Sequence, residues 1–272
     1  MCLDPEVTSS SSTEDPARSP SVKLDSIVLE PKGRHTATVF WLHGLGDTGR
    51  GMVFGAKWVQ QKLGVDGEGI KFVLPHAPVG IVTGNRNARM NTWFDCYSFD
   101  IENRAEDEEG LYRSAKWINT LIDIEERECK IPSHRIIVGG FSQGGAVAWM
   151  TGLTTKRKLA GLFILSSYVP LRRKVEEFAS PISKTLPIWW GHGTHDAQVQ
   201  YEFSMYSAQK VASDVGIEFV RSKEPLTPQD AKEDKEKVRL RFASYEELGH
   251  WFDDQELNDL AVWMKTVLSG SD

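Results

Sequence analysis

Three side chains far apart in the sequence, Ser142, Asp196 and His250, are of the types that together attack a carbonyl carbon. A serine hydroxyl is a weak nucleophile until a base within hydrogen-bond reach takes its proton. Imidazole titrates near neutrality, so it can accept that proton and return it to a leaving group. A carboxylate on the second ring nitrogen fixes the tautomer and stabilises the imidazolium. The chemistry they support is acyl transfer through an acyl-enzyme on Ser142.

The spacing around each residue fits this reading. Gly140-Phe141-Ser142-Gln143-Gly144 matches G-x-S-x-G. A buried-strand pattern (RIIVG, 135–139) precedes it and an apolar helical run follows, the context a nucleophile elbow needs. Gly140, Gly144 and Gly145 supply the missing Cβ atoms of a tight, strained turn. In such folds the acid and then the histidine follow the serine in the chain. Asp196 comes in the short loop after an apolar run at 186–190, and His250 stands just before the final helical pattern. His192 and His195 share the acid's own loop, so chain order makes them poor bases. Glu246 or Glu247 could replace Asp196 only with a changed order, and Asp253 and Asp254 read as helix-start residues.

Stabilisation of the oxyanion needs backbone N–H groups converging on one point. The expected pair is Gln143, which follows the nucleophile, and Leu45 in the glycine-rich run 41–49 (WLHGLGDTG). That run is no phosphate loop: it lacks G-x-x-x-x-G-K-[ST], and no G-x-G-x-x-G opens a helix there. His43 and Asp95 read as loop-ordering residues.

These residues must be held by an alternation of elements. Strand patterns fall at 26–29, 36–42, 70–74, 135–139, 161–165 and 186–190, with helical spacing at 51–63, 106–129, 143–151, 199–213 and 257–268. Strands alternating with helices predict an α/β fold, a mostly parallel central sheet with helices on both faces in a single domain. Residues 1–21, rich in Ser, Pro and acids, read as a disordered segment ahead of a domain at 22–270. Residues 221–237 hold ten charged residues in seventeen and read as a charged surface insertion at a hairpin tip.

The net charge of −6 over 272 residues argues against a nucleic-acid partner. Cys2, Cys96 and Cys129 form no metal-spaced cluster, so no metal is expected, and a sparse, odd set suits a reducing compartment. No apolar stretch is long enough to span a membrane and no secretory signal stands at the start, which makes the cytoplasm the default expectation.

LHGLGDTG (42–49), PHAP (75–78), WFD (93–95), GGFSQGG (139–145), HGTHD (192–196) and GH (249–250) together resemble the acyl-protein thioesterase, lysophospholipase and carboxylesterase family of α/β-hydrolases. The resemblance covers about residues 26–268. It implies hydrolysis of thioesters on S-acylated proteins, or of lysophospholipids and small esters, without a cofactor. Two departures bear on substrate preference. The family reads Asp-Pro-x-Val-Pro at the acid, where this chain has Asp196-Ala197-Gln198-Val199-Gln200, and the insertion at 221–237 is unusual.

The segment 79–93 is too long for a simple turn. Val79, Ile81, Val82, Met90 and Trp93 are candidates to line an acyl groove, with Trp251 as a wall beside the base; ordinary packing is the competing reading. A short-chain carboxylesterase and a catalytically silent binding module are the alternatives to a thioesterase. Acyl groups on proteins lie at membranes, so transient membrane contact, without insertion, is part of the expectation.

Overall fold

A computed structural model describes residues 24–270. Its ten strands and seven α-helices run β1 (Ser26–Leu29), β2 (Ala37–Leu42), α1 (Val53–Leu63), β3 (Ile70–Pro75), β4 (Val79–Val82), β5 (Ala88–Asn91), α2 (Glu108–Arg127), β6 (Ile136–Phe141), α3 (Gln143–Thr154), β7 (Gly161–Leu165), α4 (Val175–Phe178), β8 (Ile188–Gly193), α5 (Tyr201–Val215), β9 (Glu218–Ser222), α6 (Pro228–Lys237), β10 (Arg239–Tyr245) and α7 (Asp254–Leu268).

Eight strands form one sheet in the order β1-β3-β2-β6-β7-β8-β10-β9. Only the β1–β3 pair is antiparallel. β4 and β5 make a separate hairpin. The inner strands are buried on both faces, which is why they read as nearly continuous apolar runs. Alternate residues feed two cores. Phe40, Leu42, Val138, Ile164 and Trp190 meet α2, α3 and α5 on one face. Val39, Trp41, Ile137, Phe163 and Trp189 meet α1 and α7 on the other. This is the α/β-hydrolase architecture.

Two expectations change. The segment 221–237 is not a hairpin tip, because β9 and β10 pair in parallel and a parallel pair needs a crossover. α6 is that crossover. Thr227 caps it by accepting the Asp230 N–H, and Pro228 occupies its first turn. Asp234 and Arg241, both nearly sealed from solvent, tie α6 to β10 through a two-point ion pair at 2.5 and 3.2 Å. The helix expected over 106–129 ends at Arg127, so Cys129 lies beyond it and is exposed instead of continuing the buried stripe of Leu111, Ala115, Ile118 and Ile122. Residues 1–21, with Cys2, lie outside the described region.

Candidate active site

β6 delivers Ser142 at the carboxyl edge of the sheet, and α3 begins at the next residue. Ser142 has φ 53° and ψ −119°, a conformation L residues rarely adopt. The elbow closes this tightly because Gly140 and Gly144 lack side chains: a Cβ on Gly140 would sit 2.5 Å from the Gly144 carbonyl carbon, and one on Gly144 would sit 2.4 Å from the Leu42 oxygen. The Ser142 N–H donates to the Leu165 carbonyl on β7, and the Ser167 hydroxyl donates to the Ser142 carbonyl.

β8 and β10 bring up the partners. The His250 Nδ1–H donates to Asp196 Oδ2 at 2.7 Å, and its Nε2 lies 2.9 Å from the Ser142 hydroxyl, placed to accept its proton. The free Asp196 oxygen, Oδ1, accepts the Gln198 and Val199 N–H groups. Burial pushes the Asp196 carboxyl up, but the hydrogen bond and charge of His250, with the Val199 N–H, outweigh it and hold the carboxyl below its ordinary value. The carboxylate thus ties its own loop through two N–H groups, a closure that does not depend on prolines at 197 and 200.

The competing histidines are occupied. His192 donates Nε2–H to the Val199 carbonyl, accepts the Trp190 indole N–H on Nδ1, and is pushed down to about 4 by burial. His195 is exposed and faces Thr194. His43 accepts the Ala77 N–H on Nε2 and donates Nδ1–H to the Gly44 carbonyl; burial pushes it down to about 4 as well. It fastens the 42–49 loop to the PHAP segment, and His76 adds a second tie by accepting the Gly49 N–H. Asp95 orders its own loop, accepting from Thr83 through both oxygens.

The backbone N–H groups of Leu45 and Gln143 donate to no acceptor among the described residues. Both flank Ser142, on a loop and a helix start that the glycines bring together.

The residues expected to line a groove separate into two kinds. Val79, Ile81 and Trp251 are 54, 49 and 47% exposed, and Met90, half-buried, packs its sulfur against Gly46. Trp93 does not belong with them: its side chain is fully buried, and its indole N–H donates to the His43 carbonyl at 2.8 Å. It is a pillar under the loop, facing inward. Val82 is likewise buried.

Several contributors were not foreseen. The Gln143 side chain accepts the Trp93 N–H and donates to the Phe94 carbonyl, pinning the 92–94 segment to the elbow. The Phe141 ring lies 4.8 Å from the His250 ring and 5.3 Å from that of Trp251. Ser167, and Ser166 with φ 45°, follow β7 at the same sheet edge. The Ser-Ser pair after a buried strand, next to the strand that leads to Ser142, was a usable signal.

A group of His35, Glu125 and Cys129 lies at the opposite edge of the sheet, near the starts of β2 and β3. Lys71 already neutralises Glu125 there at 2.5 Å.

The sequence pattern of the phospholipase/carboxylesterase family matches residues 24–224. Acyl-protein thioesterase 1 of Cryptococcus neoformans is 37% identical over 90% of this chain and 98% of its own, and that of Mycosarcoma maydis is 35% identical over the same shares. Among solved structures, Arabidopsis thaliana SOBER1 superposes with TM-score 0.72 at 26% identity, covering 86% of this chain and all of that one. Zea mays acyl-protein thioesterase 2 superposes with TM-score 0.70 at 26% identity, covering 90% and 99%. With that match over residues 24–224 and these relatives covered almost end to end, this chain belongs to the phospholipase/carboxylesterase family.

Proposed function

We propose that this hydrolase cleaves long-chain acyl thioesters on S-acylated proteins, with Ser142 as nucleophile, His250 as general base and Asp196 as the orienting acid. The carrying observation is the unbroken hydrogen-bond chain Asp196–His250–Ser142, at 2.7 and 2.9 Å, beside two uncommitted backbone N–H groups. His250 takes the hydroxyl proton as Oγ attacks the acyl carbon. The Leu45 and Gln143 N–H groups receive the charge that develops on the oxygen, each worth about 3 kcal/mol of barrier. The imidazolium returns its proton to the leaving thiolate or alkoxide, and water then releases the acid by the same route in reverse. Every group needed belongs to the chain itself, and no step calls on a cofactor or a metal.

Val79, Ile81, Met90 and Trp251 are the residues we assign to the acyl chain. The matched relatives are named acyl-protein thioesterases, which favours a protein thioester over a lysophospholipid or small ester. No described helix is long and apolar enough to cross a membrane. The reading places the enzyme in the cytoplasm with transient membrane contact, and vesicle co-sedimentation checks that contact.

Titration with a fluorophosphonate, followed by mass mapping, tests the assignment. One adduct per chain on Ser142 is the expected result. Ser142→Ala should take no label and lose on the order of 10⁶ in kcat. Labelling elsewhere, or full activity in that variant, would overturn it. A thioester and ester panel of rising chain length then separates the thioesterase from a short-chain carboxylesterase, whose rate would collapse as the chain grows.

A further inference from the structure

Glu256, in the first turn of α7, has no part in the mechanism above, yet it is completely buried. Neither carboxyl oxygen meets a donor in hydrogen-bond geometry among the described residues. Its position is the surprise. Asp253 and Glu256 have the spacing of a capping box, in which each carboxylate would take the other's backbone N–H. Half of it forms: Asp253 Oδ1 accepts the Glu256 N–H at 2.8 Å. The Glu256 carboxyl instead lies against β8 at Gly191, where a Cβ would stand 2.0 Å from Oε1. Gly191 is five residues before Asp196, and Asp253 is three residues after His250. One residue therefore meets the strand that carries the acid with its carboxyl and the turn that carries the base with its backbone N–H.

The groups that bear on it are acidic. Asp253, at the start of its own helix, Asp259 one turn on and Asp196 from the loop after β8 all bear on it; the Asp253 N–H, near the carboxyl but outside hydrogen-bond geometry, offsets only part of the burial. From β10, the Tyr245 hydroxyl is committed to Asp259 at 2.8 Å. On the β8 side, His192 is neutral and His250 faces Asp196. An ionised carboxylate in that setting would be an unpaired buried charge.

We propose that Glu256 is a positioning residue, held as a neutral carboxylic acid, that locks the acid-bearing strand to the base-bearing turn, and that loss of its proton to solvent unlocks the site. Once charged, it is repelled by Asp196 and Asp253 together, so the 2.7 Å bond between His250 and Asp196 gives way. The turnover step suffers while substrate binding, which uses other residues, does not. This rests on the triad assignment.

The test uses the intact enzyme and Glu256→Gln, which keeps shape and cannot ionise. Infrared spectra in D₂O should show a protonated-carboxyl band at neutral pH that disappears as pH rises, with the midpoint of a loss of at least about tenfold in kcat at constant KM. The variant should lack the band and hold kcat through the alkaline range. A wild type without the band at neutral pH, or a variant that keeps the alkaline loss, overturns the proposal. If the variant does not fold, the wild-type midpoints decide alone: coincidence supports the lock and divergence refutes it. Fluorophosphonate labelling at neutral pH separates the two readings. Label on Ser142 with no band sinks the lock alone; a band with no label sinks the triad, and the lock with it.

Discussion

His43 and His192 carry no catalytic role here, but their burial gives the protein a pH signature. Each is neutral in the fold and pushed from 6.5 to about 4. Below pH 6.5 the unfolded chain binds protons that the native state refuses, so stability falls with pH. At about 1.4 kcal/mol per pH unit, each histidine removes about 3 kcal/mol between pH 6.5 and 4. Asp196, held low by His250, adds a further loss as pH drops through its own depressed value. Urea unfolding across this range should show the decline, and His192→Gln should flatten it by about half. At this scale the juxtaposition was legible: residue types and order pointed to Ser142, Asp196 and His250, which the fold brings within hydrogen-bond reach, because an elbow and a chain order are local facts. Trp93 was not legible. Apolar character does not say whether a side chain faces a groove or a core, and only the His43 carbonyl, fifty positions away, shows that its indole faces inward.

α6 shows what periodicity misses. Its sequence is so charged that only Ala231 and Asp234 face the core, too thin a stripe to read as an amphipathic helix. Its start was nonetheless written in Thr227-Pro228, and its exposed face carries Lys232–Glu236 and Glu233–Lys237 pairs one turn apart. The element is tied down by the buried Arg241–Asp234 pair, not by apolar area. Arg241→Leu should therefore cost about 3–5 kcal/mol, because it strands Asp234 in the interior. Replacing both with leucine should restore most of that, read as the midpoint of chemical unfolding. Single-variant stability equal to wild type would mean that Arg239, 3.7 Å from Asp234, carries the pair instead.

Across the whole molecule, the sheet gathers the reacting groups at one edge, and the β4–β5 hairpin stands beside them with Val79 and Ile81 exposed. Replacing both with serine should raise KM for long-chain thioesters by about tenfold or more and leave short-chain turnover alone, the scale expected when apolar contacts are lost. Equal effects on both substrates would remove the hairpin from the acyl site. The strand order has one more consequence. Ser142 emerges near the middle of the chain, but His250 is supplied only after β10, and α7, which packs against α1, follows it. If Ser142 is the nucleophile and His250 its base, as proposed, a nascent chain on the ribosome carries the one through more than a hundred residues of synthesis without the other. On the proposed triad it stays inert until β10, His250 and α7 have left the exit tunnel and docked, so capture of Ser142 by a reactive probe times the arrival of that segment in the fold.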